Sequence, residues 1–225
     1  MCRILFKKNN SVKFDEKELE VSLMTNPDGT GLIYYDIESQ KLLVHKFLKG
    51  TPFTEIYKKI EEIENLKNIS NFGIHFRIGT SGGKSLEQIH PISVKEDMWI
   101  MHNGICREFD MGNGMSDTQW IAQYFRENNF RISDLDNEAT KKKYEEIFHS
   151  NKILVLEKDK FNFINDDLGT WDNGIWKSWK KGSLYGWDNN YSKEDESIFD
   201  FFKPEKTENN NLEKQVANIG KNRKF

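Results

Sequence analysis

Residues 71–80 read NFGIHFRIGT, and their order settles what kind of chain this is. Phe72, Ile74, Phe76 and Ile78 fall on one side of an extended backbone, His75 and Arg77 on the other. A period of two over this length predicts a β-strand with one core-facing side, ending in a Gly-rich turn. Upstream, residues 31–47, GLIYYDIESQKLLVHKF, predict two strands joined by a polar turn at Glu38–Gln40. The run 21–36, VSLMTNPDGTGLIYYD, places the turn cluster Asn26-Pro27-Asp28-Gly29 between two apolar runs. Residues 2–6 form a further short apolar strand. Between these strands the period changes: Phe53, Ile56, Tyr57, Ile60 and Ile63 recur at helical spacing, so 53–66 predicts an amphipathic helix opened by Thr51-Pro52 or Thr54.

Downstream the pattern continues. KEDMWIMHNGI (95–105) is a strand running into a turn, and SDTQWIAQYFREN (116–128) is a capped helix with Trp120, Ile121, Tyr124 and Phe125 on its buried face. Residues 138–149 suggest another helix, 151–167 a hairpin, and LGTWDNGIWKSW (168–179) an aromatic-rich strand or loop. Strands and helices do not alternate one for one, which argues against a parallel doubly wound sheet and for α+β, with helices packed on antiparallel sheets. Residues 1–191 carry this pattern. Residues 192–225 are charged and Asn-rich, and read as a flexible tail.

Composition narrows the function. The 225 residues are 36% hydrophobic and 31% charged, with a net charge of −3, which gives no electrostatic reason to expect nucleic acid or an anionic membrane as partner. No run approaches the roughly 20 apolar residues of a membrane span, and the start lacks a signal-peptide pattern. Two distant cysteines do not suggest a disulfide framework, so a reducing cytoplasm is the simplest expectation. The five histidines and two cysteines show no pair at zinc spacing, and no cofactor is implied.

Four short stretches carry candidate chemistry. Cys2 becomes the first residue if Met1 is removed. It would then hold a thiol with a pKa near 8.5 and an α-amine near 7.7–8.0 on one residue, nucleophile and base together; the other reading is a small buried residue of the first strand. Arg77 offers a planar fork suited to a carboxylate, or a structural ion pair. Asn103 and Gly104 place a side-chain amide beside a backbone N–H, as an oxyanion needs, or form a tight turn. Ser116 or Asp117 caps the following helix, or Asp117 faces a cationic group of a ligand.

Taken together, Cys2, HFRIGTSGG (75–83), IHP (89–91), HNG (102–104) and SDT (116–118) stand in the order and rough spacing of class II glutamine amidotransferases, which are N-terminal-nucleophile hydrolases, and the chain resembles them from residue 1 to about 180. The hairpin and Trp-rich stretch resemble stand-alone members from phages and bacteria. The resemblance implies a four-layer αββα sandwich. It implies Cys2 as nucleophile on the amide of L-glutamine, with its own amine as proton shuttle. Arg77 would bind the α-carboxylate, Asp117 the α-ammonium, and Asn103 and Gly104 the oxyanion. Thr80 and His102 would line the substrate pocket, while His75 and His90 would be structural. Two positions depart from the family pattern: Arg3 stands where Gly is usual, and Ser81 where many relatives have His. About 45 residues follow WKSW, too few for a synthase, so the resemblance implies a separate acceptor enzyme for the ammonia.

Rival readings remain. One is a hydrolase of γ-glutamyl or other amides without ammonia transfer, and another is a catalytically inactive binding module. GTSGGKS (79–85) is not a P-loop, because three residues rather than four separate Gly79 from Gly83, and Pro91 stops any long helix after Lys84. Cys106 reads as a buried core thiol.

Overall fold

The computed structural model describes residues 1–79, 85–109 and 114–180. Thr80, Ser81 and the proposed boundary at 191/192 lie outside the described residues. Among those described, four helices and two antiparallel sheets are present.

The first sheet is built around β4 (Ile69–Phe76), the strand predicted from alternation. On one side it pairs with β2 (Gly29–Asp36), which pairs with β3 (Lys41–Leu48). On the other it pairs with β1 (Arg3–Asn9), followed by β10 (Ile175–Lys177) and β9 (Thr170–Asp172). The second sheet runs β5 (Ile92–Lys95), β6 (Met98–Asn103), β7 (Lys152–Glu157), β8 (Lys160–Ile164), every pair antiparallel. The helices are α1 (Glu16–Thr25), α2 (Phe53–Glu64), α3 (Asp117–Glu127) and α4 (Glu138–Phe148).

Three buried clusters follow from strand alternation. Phe72, Ile74 and Phe76 of β4 pack with Ile56, Ile60 and Ile63 of α2. Ile100 and Val155 of the second sheet pack with Ile121, Ala122 and Phe125 of α3 and Phe148 of α4. Ile4, Phe6 and Ile33 of the first sheet meet Met101, Leu154 and Leu156 of the second. Each of the larger side chains among them contributes about 1.5–3 kcal/mol by leaving water. The side of β4 read as lying away from the core is therefore corrected: it faces the other sheet. A Cβ on Gly73 would lie 3.4 Å from Met101 and 3.5 Å from Leu154, and His75 and Arg77 are buried. A strand with two buried faces still alternates here because one face carries the polar residues of the site.

Some boundaries shift. α2 ends at Glu64, two residues early, and its N-cap Pro52 makes no side-chain bond. α3 has the expected capping box, with Ser116 accepting from the Gln119 N–H and Gln119 returning to Ser116. Trp120 and Tyr124 are only half-buried, because the inward face of α3 runs through Thr118, Ile121, Ala122 and Phe125. The apolar run beginning at Val21 belongs to α1, capped by Asp15, rather than standing alone. No helix among the described residues is long and apolar enough to cross a membrane.

Candidate active site

Register places the nucleophile candidate. In the β1–β4 ladder Arg3 opposes Phe76 and Ile4 opposes His75, so one step further Cys2 comes alongside Arg77. The Cys2 Sγ lies 3.6 Å from the Ile78 carbonyl oxygen. Alternation along β1 sends Ile4 and Phe6 toward the second sheet and Leu5 toward the helices. Arg3 follows Leu5: its guanidinium donates to Ser22 Oγ on α1 at 3.3 Å and lies 4.9 Å from the Trp179 ring. The departure at position 3 is thus directed away from Cys2.

Cys2, Arg77, His102, Gly104 and Asp117 line one pocket, together with His90 and Thr118. They arrive from five separate places: the start of β1, the end of β4, the segment before β5, the end of β6, and the first turn of α3. The enclosed space among them is about 20 Å³, on the order of one water molecule.

Each wall is held differently. The Arg77 backbone closes onto the turn before β2, its N–H donating to Gly29 O at 2.8 Å and its carbonyl accepting from the Asp28 N–H at 2.9 Å. A Cβ on Gly79 would stand 3.0 Å from the Arg77 guanidinium, so Gly79 leaves room for that group to fold back over the turn. Asp117 is the first residue of α3. Its carboxylate accepts the Cys106 N–H at 3.0 Å and the Thr118 N–H at 2.8 Å, which fixes its orientation at the pocket. Gly104 is required by a close approach: a Cβ there would lie 2.0 Å from Asn151 Oδ1.

Asn103 is placed otherwise. It is buried but does not line the pocket; its Nδ2 donates to Ser178 Oγ at 2.6 Å and to the Ser178 carbonyl at 3.2 Å. His102 is locked from both sides. Asn151 Nδ2 is committed to Phe148 O at 2.8 Å, so Asn151 Oδ1 accepts from His102 Nε2–H at 2.9 Å. The other ring nitrogen, Nδ1, therefore accepts from the Thr118 hydroxyl at 2.9 Å.

Electrostatics favours a protonated thiol at rest. Burial pushes the Cys2 pKa up; the Ile78 contact, the nearby amino terminus and Arg77 pull it down, and Asp117 adds to the rise. The thiol therefore needs a base to ionise near neutral pH. His75, His90 and His102 form a buried row that reaches the pocket through His90 and His102, with the His75 and His90 rings 3.9 Å apart and those of His90 and His102 6.5 Å apart. Burial lowers all three, His75 to about 3 and His90 well below its ordinary value. Each folded-state value lies below 6.5, so as pH falls through about 6.5 the unfolded chain takes up protons that the folded chain refuses. Stability present above that pH is lost below it. The urea midpoint is expected to drop clearly between pH 7.5 and pH 5; an unchanged midpoint would mean the row is protonated in place.

Thr118, Asn151 and Ser178 are the residues sequence reading missed. Only Thr118 carried a signal, as the last residue of the SDT stretch.

No known sequence family and no curated protein matches the chain. Among solved structures it is similar to glutamine phosphoribosylpyrophosphate (PRPP) amidotransferase from B. subtilis, complexed with ADP and GMP, at 13% identity and a TM-score of 0.45. The match covers 79% of this chain and 42% of the other, so the chain spans less than half the length of that protein.

Proposed function

We propose that this chain is a four-layer αββα N-terminal-nucleophile hydrolase of the stand-alone class II amidotransferase type, which hydrolyses the side-chain amide of L-glutamine through a thioester on Cys2. The observation that carries the reading is the convergence of a thiol, a guanidinium and a carboxylate, from Cys2, Arg77 and Asp117, on one pocket beside the His102–Gly104 turn.

The chemistry follows from those groups. With Met1 removed, the Cys2 amine takes the thiol proton and the thiolate adds to the glutamine δ-carbonyl carbon. The Gly104 N–H and Asn103 Nδ2 stabilise the oxyanion, Asn103 turning the hydrogen of its longer bond, to the Ser178 carbonyl, toward substrate. The C–N bond breaks, the amine returns its proton to the leaving nitrogen, and ammonia departs. Water then cleaves the thioester to glutamate and restores the thiol. Arg77 takes the α-carboxylate and Asp117 the α-ammonium, one charge for each end of a zwitterion. Thr80 lines the same pocket in this reading, and His102 fixes the turn that carries Gly104. A separate acceptor enzyme uses the ammonia.

Two assays test the reading together. Purified protein is expected to release glutamate and ammonia from glutamine, and intact mass is expected to show loss of Met1 and one 6-diazo-5-oxo-norleucine adduct on Cys2. Retained Met1 with no adduct would overturn it, and release of a larger amine from γ-glutamyl amides in preference to ammonia would make it an amide hydrolase of another specificity. Arg77→Ala is expected to raise KM for glutamine by about 10²-fold or more, since a charge-assisted bidentate pair contributes several kcal/mol, with kcat changed much less. Unchanged saturation would remove Arg77 from the head-group role.

A further inference from the structure

Ser178 lies in the Trp-rich stretch LGTWDNGIWKSW, to which the sequence analysis gave no catalytic role, yet it joins the two halves of the proposed chemistry. It lies one residue beyond β10 and is 2% exposed. Its N–H donates to the Ile4 carbonyl at 2.9 Å, and its Oγ accepts the Ile4 N–H at 2.9 Å. That grips β1 two residues after Cys2. The same Oγ accepts from Asn103 Nδ2 at 2.6 Å, across from the other sheet.

We propose that Ser178 is a positioning residue for the amide hydrolysis, its hydroxyl oxygen fixing the orientation of the Asn103 amide relative to the strand that carries Cys2. This rests on the function proposed above. A hydroxyl oxygen has two lone pairs, and here one meets the Ile4 N–H and the other the Asn103 amide. The terminal torsion of an asparagine is broad, so its amide plane is set by hydrogen bonds rather than by rotamer preference. Among the described residues those bonds run to Ser178, because Asn103 Oδ1 is buried without a partner. Apart from the longer bond to the Ser178 carbonyl, which the proposed chemistry gives up to substrate, nothing else described holds the plane. An amide free to rotate meets the developing oxyanion in the wrong geometry, and a misplacement of about 1 Å can cost about 10²-fold in rate.

The test is a double-mutant cycle on glutamine hydrolysis, with kcat and KM measured for wild type, Ser178→Ala, Asn103→Ala and the double variant, each checked for folding by thermal melt. Ser178→Ala is expected to lower kcat by about 10- to 100-fold while KM moves less than about twofold, because the head-group contacts are elsewhere. On the Asn103→Ala background the same change is expected to cost almost nothing. If Ser178→Ala does not fold, Ser178→Cys keeps the volume with a poorer acceptor and enters the same cycle. An unchanged kcat, or an equal loss with and without Asn103, would overturn the positioning role while leaving the glutaminase reading intact. A wild-type protein that releases no ammonia from glutamine would overturn both.

Discussion

Cys2→Ala is expected to remove the proposed glutamine hydrolysis, lowering kcat by about 10⁴-fold or more, and Cys106→Ala is expected to keep most of it. Loss of a nucleophile is on that order because the remaining groups bind and polarise but form no covalent intermediate. The two thiols differ in everything that governs reactivity. Cys2 lines the pocket with Arg77 and Asp117, and its burial is relieved by a cationic neighbour and by the adjacent amino terminus. Cys106 is fully buried in the cluster between the second sheet and its helices. Burial and the Glu108 and Asp117 carboxylates push its thiol up to about 12, so almost none is thiolate near neutral pH. Steady-state ammonia release separates the variants. Equal loss in both would mean that the nucleophile is misassigned or that the cysteines act as a pair.

The fold was legible where neighbouring residues carry the information. β4 shows its period because alternate residues face chemically different layers, the helix layer through Phe72, Ile74 and Phe76, and the site through His75. α2 shows its period because one face is packed and the other wet. α1 stayed hidden because its sequence, EKELEVSLMT, buries only Leu19, Val21 and Ser22, too few for a stripe. β10 stayed ambiguous because three residues hold it, and its partner β1 lies about 170 positions away. The site divides the same way. Cys2, Arg77, Gly104 and Asp117 sit in short motifs whose residue types suggest their chemistry. Asn151 and Ser178 act by touching residues 49 and 75 positions distant, and no local spacing encodes that. Asn103 shows the limit of motif reading: its neighbour Gly104 lines the pocket, while its own amide is turned to a residue the motif does not contain.

The fold's own weak point lies on the opposite side of β1, at a buried ion pair. Lys7 Nζ is fully buried, 2.6 Å from Glu64 Oε1 at the end of α2 and 2.7 Å from the Val12 carbonyl, and lies 4.7 Å from the Phe14 ring centre. The same Glu64 oxygen accepts the Phe14 N–H at 2.9 Å, so one carboxylate ties β1, α2 and the segment before α1. Burial lowers the Lys7 pKa, and Glu64 opposes that shift. Glu64→Gln keeps an acceptor of similar shape but removes the counter-charge, and an uncompensated buried charge typically costs about 3–5 kcal/mol. The pH dependence identifies the cause. Without Glu64 the folded-state pKa of Lys7 falls further below the unfolded value near 10.4, so folding at neutral pH must either bury a lone cation or release its proton. That cost shrinks as pH rises toward 10.4, because the unfolded chain then also holds Lys7 neutral. Urea denaturation at pH 7 and pH 9.5 is expected to show the Glu64→Gln deficit narrowing by about 1 kcal/mol or more, and Lys7→Met in the same chain is expected to recover stability at pH 7. A deficit that does not change with pH and that Lys7→Met does not relieve would assign the loss to packing around Phe14 instead of to charge.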